Sequence, residues 1–600
     1  MCNQGIDPPD YNVLRSNYKS YIDSYNALYQ LKTDKEEDLR SIYNMIKTEL
    51  IDSKKQLPEN VIQDILDLIP YNNRYSNSYL VLVKLISEDY QVTIDVNPIE
   101  DLTKCYLHEE DGKIILGAIV NSSKNQDIHS ENTIYRAIMN DDKERFISFT
   151  ESDSFDKNQK LKNNLYPYHS TSYSFLELCC YHGAVDCFKL SRSKFKSEIT
   201  QQCLEFSFLG GNPDIMSECL KYQTPDEECM KYAIISHNID FVTFLMNEYD
   251  IEIDLEYCGE YNNLEAFFIY FDQTNDVDKC FIYSPIFNIP SLFELFISLG
   301  ADINAKDING ITALHQASIS NNKKAVEFLL SHGANVNEKC YDFKTALHFA
   351  TILNYIEIVE LFLSHGANIN EKDFDEKTPF AYAMLHNYKE IIKLFLLHGA
   401  NPNEIINEEC TALFYSLFND DKEITELLLS HGANANERMN DENTALHFAS
   451  IRGNKEIVEP FLLHGANINE KNCDELTALH LATNSKHKEI VELLLSHGAS
   501  IDEKNITGQT PLFFAVHNKS IEIVELLLSH GANINEKDMF GKTPIFQAES
   551  FRELDLIEFL ISHGANINET NNNGETLLDC AISINNAELI EFLHLHNSKS

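Results

Sequence analysis

The sequence is poor in turn-forming residues and in positive charge. Its 600 residues include only 21 glycines and 15 prolines. A loop-rich sandwich or barrel needs more turn formers, so this scarcity favours helices. Lysine and arginine number 48 against 93 aspartates and glutamates, which gives a formal net charge of −45. Binding to nucleic-acid phosphates or anionic lipids requires clustered basic residues, so we expect neither nucleic-acid binding nor docking on anionic membranes.

Further absences narrow the class of protein. No run of about 18 apolar residues occurs, which excludes a membrane-spanning helix. The opening residues MCNQGIDPPD lack the charged-then-apolar layout of a secretion signal, so we expect a cytoplasmic protein, with the nucleus as the alternative. The 14 cysteines include no Cys-x-x-Cys pair, and we expect them to be reduced and mostly buried.

A step of 33 residues dominates the C-terminal half. The tetrad His-Gly-Ala-Asn and its variants place a glycine in every step, and a threonine keeps the same spacing. The glycines are Gly300, Gly333, Gly366, Gly399, Gly432, Gly465, Gly498, Gly531 and Gly564. The threonines are Thr312, Thr345, Thr378, Thr411, Thr444, Thr477, Thr510, Thr543 and Thr576. Two residue types in phase over nine steps predict an array of repeated structural units without insertions.

Residues 345–366 show how one unit is built. Thr345 is a good N-cap for a short helix, which should break near Asn354. The second helix is apolar over most of its circumference, so neighbouring units must cover it on both sides. Gly366 fits the left-handed end of that helix. The polar residues 368–377 should then form an extended, turn-containing finger.

These units resemble the ankyrin repeat family. The family's Thr-Pro-Leu-His signature appears as Thr-Ala-Leu-His at residues 312–315, 345–348, 444–447 and 477–480. The stretch EIVELLLSHGANINEK matches the family's second helix and finger. The resemblance covers about residues 276–600, with units starting near residues 276, 309, 342, 375, 408, 441, 474, 507, 540 and 573. It implies an all-α solenoid of stacked helix pairs with β-turn fingers.

The array departs from the family pattern at two positions. The signature histidine is replaced by Ala381, Phe414, Phe513, Phe546 and Asp579. The fingertip glycine remains only as Gly310, Gly508, Gly541 and Gly574. The other fingertips carry Phe343, Glu376, Glu409, Glu442 and Glu475, so their turns are expected to differ in type.

Upstream of the array the period shortens. Second helices are predicted to begin near Asp186, Asp214, Asp240, Glu265 and Ser291, a spacing too short for a finger. We interpret residues 131–275 as fingerless helical hairpins, interrupted by a polar loop at residues 151–172. This segment resembles the degenerate ankyrin-like domain of unknown function that precedes ankyrin arrays in large protist families.

Residues 1–130 form a third region, which we predict to be mostly helical. Apolar residues recur every three or four positions from Leu14 to Leu28 and again from Ile42 to Ile46, and Pro58 should open a third helix. The stretches YQVTIDV and GKIILGAIV, residues 90–96 and 112–120, could be strands.

No motif for catalysis or for a cofactor stands out. The sequence contains no P-loop, zincin, nucleophile-elbow or kinase motif, so we propose no catalytic or cofactor-binding residue. The eight histidines of the His-Gly-Ala tetrads, from His332 to His563, could suggest a ladder of metal sites. Adjacent repeats lie about 10 Å apart, too far to share zinc, so we interpret these histidines as residues at helix C-termini and expect no metal.

The resemblance to ankyrin repeats implies a monomeric, non-catalytic scaffold that binds other proteins through its fingertips and concave face. Candidate contact residues vary between otherwise regular units. They are Phe343, Lys344, Tyr355, Glu376, Lys377, Tyr388, Glu409, Asp420, Asp421, Glu442 and Glu475. Four of the glutamates recur every 33 residues and would align in an acidic row that suits a partner with a basic surface.

Three other interpretations stay open. Any one of these variable positions could be drifting solvated surface. The chain could also be a structural linker between cytoskeleton and membrane proteins, or an adaptor or regulatory subunit of an enzyme complex.

Overall fold

The computed structural model of the chain describes residues 9–92, 108–110, 113–115, 128–129, 132–152, 155–163, 165–167, 171–407, 410–439, 441–550 and 553–597. The chain divides into two compact units, Met1–Tyr341 and Asp342–Ser600, which we call the N-terminal and C-terminal units. Helices make up most of the described regular structure in both, as the sequence predicts.

The N-terminal unit begins with five helices. They are Tyr11–Asn17, Lys19–Tyr29, Glu36–Ile46, Pro58–Leu68 and Ser76–Tyr90, with short π or 3₁₀ turns at Lys47–Ile51, Ile69–Tyr71 and Asn73–Tyr75. The predicted periodicity is confirmed, because Leu14 and Leu28 are buried and Pro58 opens a helix. The strand Lys113–Ile115 pairs with His108–Glu110, within one predicted strand region. Most of the other, residues 93–96, lies outside the described residues.

Helical hairpins follow, without fingers between them, as predicted. Their helices are Ile134–Met139, Lys143–Thr150, Phe175–His182, Val185–Phe195, Gln201–Gly210, Pro213–Cys219, Glu227–Ile235, Ile239–Tyr249, Leu255–Glu260, Leu264–Thr274, Val277–Tyr283 and Pro290–Ser298, with a 3₁₀ turn at Ser284–Phe287. The first 33-residue repeat adds Ala313–Ile319 and Lys323–Ser331. The predicted loop at residues 151–172 is not wholly irregular, since Lys160–Leu161 pairs with Tyr173–Ser174.

The first five helices pack against the loops that join the two helices of each hairpin. The Tyr21 hydroxyl donates to Asn262 Oδ1 at 2.7 Å, and Gln30 donates to the carbonyl of His237 at 2.7 Å. Tyr29 stacks on His237 with ring centres 4.0 Å apart, and burial lowers the pKa of His237 to about 4. Residues 11–90 therefore belong to the same compact unit as the hairpins.

The C-terminal unit is a stack of helix pairs. Its first helices are Ala346–Ile352, Pro379–Leu385, Ala412–Phe418, Ala445–Arg452, Ala478–Asn484, Pro511–His517, Pro544–Ser550 and Leu577–Ser583. Its second helices are Ile356–Ser364, Lys389–Leu397, Lys422–Ser430, Lys455–Leu463, Lys488–Ser496, Ile521–Ser529, Leu554–Ser562 and Ala587–Asn597. Each first helix packs on the first helix of the next pair. The second helices bury residues such as Ile358 and Phe362 between neighbours, as their all-round apolar surface requires.

The fingertip turns do not differ in type, contrary to our expectation. Phe343, Glu376, Glu442 and Glu475 have φ between +55° and +60°, in the same left-handed region as Gly508 at +75°. A side chain in this conformation costs roughly 1 kcal/mol or more. Glu409 lies outside the described residues. Its finger does depart from the others, because Ile405–Asn407 pairs with Cys410–Thr411 as short strands.

The signature threonine and histidine form a cap that also joins neighbouring repeats. The Thr444 N–H donates to His447 Nδ1 at 3.1 Å, so the ring proton sits on Nε2, 3.0 Å from the carbonyl oxygen of Leu476. That carbonyl immediately precedes Thr477, the cap of the next repeat. The same geometry recurs at Thr477 and His480, where burial lowers the pKa of His480 to about 4. The histidine is therefore held neutral.

Repeats without the histidine treat the threonine hydroxyl in two ways. Thr378, followed by Ala381, donates to Glu404, and Thr411, followed by Phe414, donates to Glu437 at 2.9 Å. Burial raises the pKa of both carboxyls. The hydroxyls of Thr510 and Thr543, followed by Phe513 and Phe546, are buried without a hydrogen-bond partner. These two repeats therefore leave a polar group unsatisfied.

This difference yields a prediction for a matched pair of substitutions. Thr477→Val should lower the local free energy of opening by about 1–2 kcal/mol, because it removes a hydroxyl bonded within a buried cap. Thr510→Val should leave it unchanged or raise it by up to about 1 kcal/mol, because that hydroxyl has no partner to lose. Amide hydrogen exchange over residues 478–496 and 511–529 measures the two values. Equal losses would show that the cap contributes nothing specific.

Pro460 is the clearest local defect in the stack. It is buried inside the helix Lys455–Leu463, where other repeats carry Leu361, Leu427 or Leu493. Its nitrogen bears no hydrogen, so the carbonyl of Glu456 cannot receive the usual helical bond, and the ring crowds the preceding turn. In a repeat stack, stability is a sum of local units and interfaces, so this repeat should be the weakest.

We predict that Pro460→Leu stabilises the repeat by up to about 3 kcal/mol, because it restores the helical bond and removes the clash. In the unaltered chain, amide exchange among the second helices should be fastest between residues 455 and 465. Leu427→Pro provides the matched control and should transfer fast exchange to its own helix. Uniform protection across the second helices of the unaltered chain would contradict the prediction.

Candidate protein-binding surface

Each finger is closed by one side chain and joined to its neighbour by the backbone. Asp373 accepts the N–H groups of Asp375 and Lys377, both at 3.0 Å. The Phe374 N–H then donates to the carbonyl of Asp342, in the preceding finger, at 2.9 Å. Equivalent bonds are made by the N–H groups of Ile506, Met539 and Asn572. Fingertips in the C-terminal unit are thus fixed side by side along one edge.

Large apolar side chains project from this edge into solvent. Phe374 is 73 % exposed, Ile506 55 % and Met539 56 %. Each directly follows the Asp or Asn that closes its turn. With the exposed Phe343 and Phe540 they form what we call the fingertip row. Rows of exposed apolar and aromatic residues on a rigid edge are typical of protein-interaction sites.

The sequence analysis missed most of the fingertip row. Only Phe343 was among the candidate residues. The signal was available, because Ile506 and Met539 stand 33 residues apart and each is apolar within a polar finger. The search for variation between repeats favoured the charged positions beside them.

The predicted acidic row is exposed but partly neutralised. Glu376 lies 3.3 Å from the Lys372 ammonium, and Glu442 lies 3.1 Å from the Arg438 guanidinium. Glu475 is 3.7 Å from Lys471 in the same way. Each described glutamate of the row therefore has a basic neighbour in its own finger. Exposed pairs of this kind are weak and are easily exchanged for pairs with a partner.

Two of the charged candidates are committed to holding the repeats together. The Lys344 ammonium lies 3.2 Å from the buried carboxylate of Asp373, which also accepts the Tyr382 hydroxyl at 2.6 Å. Asp421 is buried, caps the helix Lys422–Ser430 and pairs with Lys389 at 2.9 Å. Their variation between repeats therefore has a structural explanation.

The remaining candidates divide between structure and surface. Tyr355 and Tyr388 are half-buried at the starts of second helices, and the Tyr388 hydroxyl donates to the carbonyl of Ile352 at 3.2 Å. The half-buried Lys377 places its carbonyl 3.3 Å from His348 Nε2. Asp420 is exposed and accepts a bond from Asn454 at 3.1 Å. Of these four, only Asp420 presents its charged group on the surface.

The His-Gly-Ala histidines bond to their own helices, in agreement with the sequence interpretation. His365 Nδ1 lies 2.9 Å from the carbonyl oxygen of Leu361, one turn back, and His398 repeats this contact at 2.8 Å. Within the described ranges, no three His, Cys, Asp or Glu side chains converge as a metal site would require. Of the helices in the described part of the chain, none has the length and apolar character needed to cross a membrane.

Family models match most of this architecture. A domain of unknown function, DUF3447, matches residues 195–270. A model of three ankyrin repeats matches residues 284–373, 380–472 and 460–538, and a model of many ankyrin repeats matches residues 545–594. The search of curated proteins found no match. Ankyrin repeats are protein–protein interaction domains. The chain therefore belongs to the ankyrin repeat family and carries a domain of unknown function ahead of its repeats.

Proposed function

We propose that the chain is a non-catalytic scaffold that binds partner proteins along the fingertip row of its C-terminal unit. The observation that carries this proposal is the exposure of Phe374, Ile506 and Met539 on an edge fixed by backbone hydrogen bonds. A rigid edge loses little conformational entropy on binding, so its apolar side chains can contribute fully to affinity.

Backbone strain at the fingertips supports the same proposal. Phe343, Glu376, Glu442 and Glu475 occupy a left-handed conformation that glycine adopts more easily. Residues held in such conformations at a cost concentrate at functional sites. The side chains at these positions point to contact with a partner, since the turn alone would be better served by glycine.

The glutamates beside the apolar residues indicate the chemistry of the partner. Glu376, Glu442 and Glu475 each lie close to one basic residue, which a partner's own lysine or arginine could displace. The net charge of −45 adds long-range attraction for a basic protein. We therefore propose a partner surface with an apolar centre flanked by basic residues.

The apolar part is tested with the triple variant Phe374→Ser, Ile506→Ser and Met539→Ser in the full chain. Binding to a partner captured with the unaltered chain should weaken at least about tenfold, because exposed apolar anchors carry much of interface affinity. The control is Leu397→Ser with Leu463→Ser, which removes leucines 63 % and 77 % exposed at the ends of second helices. Titration calorimetry gives both affinities. Equal weakening by the two variants would exclude the fingertip row as the binding site.

The charged part is tested by replacing Glu376, Glu409, Glu442 and Glu475 with lysine. Association with the same partner should slow several-fold, and the difference from the unaltered chain should shrink with added salt, because exposed charges act mainly on encounter. Stopped-flow fluorescence measures the association rate. The melting curve should change little, since exposed pairs stabilise the fold weakly. An unchanged association rate would show that the glutamates are ordinary solvated surface.

A further inference from the structure

An acidic groove of about 1230 Å³ runs across the hairpins of the N-terminal unit. It is lined by the starts of three successive first helices, Glu227–Ile235, Leu255–Glu260 and Val277–Tyr283, and ends at the first finger, residues 306–309. Sites for small molecules rarely exceed about 1,000 Å³. Its size and its course over three consecutive hairpins suit an extended peptide.

The groove is strongly and unevenly charged. Ten carboxylates and two lysines line it. Asp226, Asp254 and Asp276 cap the three helices, so helix capping accounts for those three. Seven carboxylates remain, among them Asp250 and Glu256.

The two lysines do not balance these charges. The Lys279 ammonium lies 2.6 Å from Glu252, and the Lys306 ammonium lies 2.6 Å from Glu338, which is not part of the groove. Burial raises the pKa of Glu256, and the neighbouring Asp254 and Glu260 raise it further. The groove thus keeps a surplus of negative charge that a cationic ligand would relieve.

The walls also carry apolar surface, and one wall already binds a cation. Ile251 and Tyr257 are half-buried, and Ile308 is exposed at the finger end. The Lys231 ammonium lies 4.8 Å from the centre of the Tyr257 ring, a cation–π contact. Lysine and arginine combine an apolar stem with a charged head, so both parts of such side chains find a matching surface here.

We propose that this groove binds an extended, Lys/Arg-rich segment of a partner protein, with the aliphatic stems on Ile251, Tyr257 and Ile308 and the charged heads on the carboxylates. The site is separate from the fingertip row, and neither depends on the other.

The test uses the full chain and a fluorescein-labelled peptide of four Lys-Leu-Arg triplets. The peptide should bind, and fluorescence anisotropy should show affinity falling steeply as salt is raised from about 0.05 to 0.3 M. Peptides of four Gln-Leu-Gln or four Glu-Leu-Glu triplets keep the length and leucine content and should bind at least tenfold more weakly. Equal binding of the neutral peptide would overturn the proposal.

A charge-matched pair of variants locates the site. Glu227→Gln, Asp250→Asn and Glu256→Gln remove three exposed groove charges without touching the helix caps. They should weaken peptide binding at least tenfold. Glu360→Gln, Glu426→Gln and Glu525→Gln remove three exposed charges from second helices of the C-terminal unit and should change it less than twofold. Equal weakening by both triples would show only general attraction to an acidic chain and would overturn the proposal.

A third variant separates this site from the fingertip row. The triple Phe374→Ser, Ile506→Ser and Met539→Ser should leave peptide binding unchanged. If that triple abolishes peptide binding while the groove triple does not, the peptide binds at the fingertips, the groove proposal is wrong, and the scaffold proposal stands.

Discussion

The second helix of each repeat is apolar over most of its circumference, and the rest of the C-terminal unit follows from this constraint. In the helix Ile356–Ser364, Ile358, Val359 and Phe362 are all buried, although the helix has only nine residues. A short helix with so much apolar surface cannot be stable in a single pair, so stability comes from the interfaces between repeats. Hydrogen bonds from His447 to Leu476 and from Phe374 to Asp342 then fix how each repeat meets the next.

Much of this could be predicted from the sequence because it is local or strictly periodic. Thr345 as a helix start, the break at Asn354 and the left-handed Gly366 each depend on the properties of one residue in a repeating context. Contacts that cross between segments could not be predicted. The sequence does not show that Tyr21 would reach Asn262, or that Glu404 would replace a histidine as partner of Thr378. Both depend on side chains distant in sequence.

The candidate site was predicted less well, for a related reason. Variation between repeats marks positions free of the repeat's own packing, but it also marks positions where one repeat has adopted a private contact. Lys344 and Asp421 belong to the second kind, since their partners Asp373 and Lys389 lie in adjacent repeats. Phe374 and Met539 belong to the first kind. Only the burial of each side chain separates the two, and burial follows from the stacking rather than from the residue type.

Departures from the repeat pattern cluster in the middle of the C-terminal unit. Ala381 and Phe414 replace the capping histidine, Ile406 is buried where other fingers carry Asp373 or Asn472, and Pro460 interrupts a helix. In a stack whose stability is a sum of nearest-neighbour terms, such changes lower the cost of local opening where they occur. Opening would otherwise begin at the ends, where a repeat has one neighbour. The clustering therefore places the most easily opened repeats between two well-capped runs, so that the Phe374 and Ile506 ends of the fingertip row can adjust to a partner without either run unfolding.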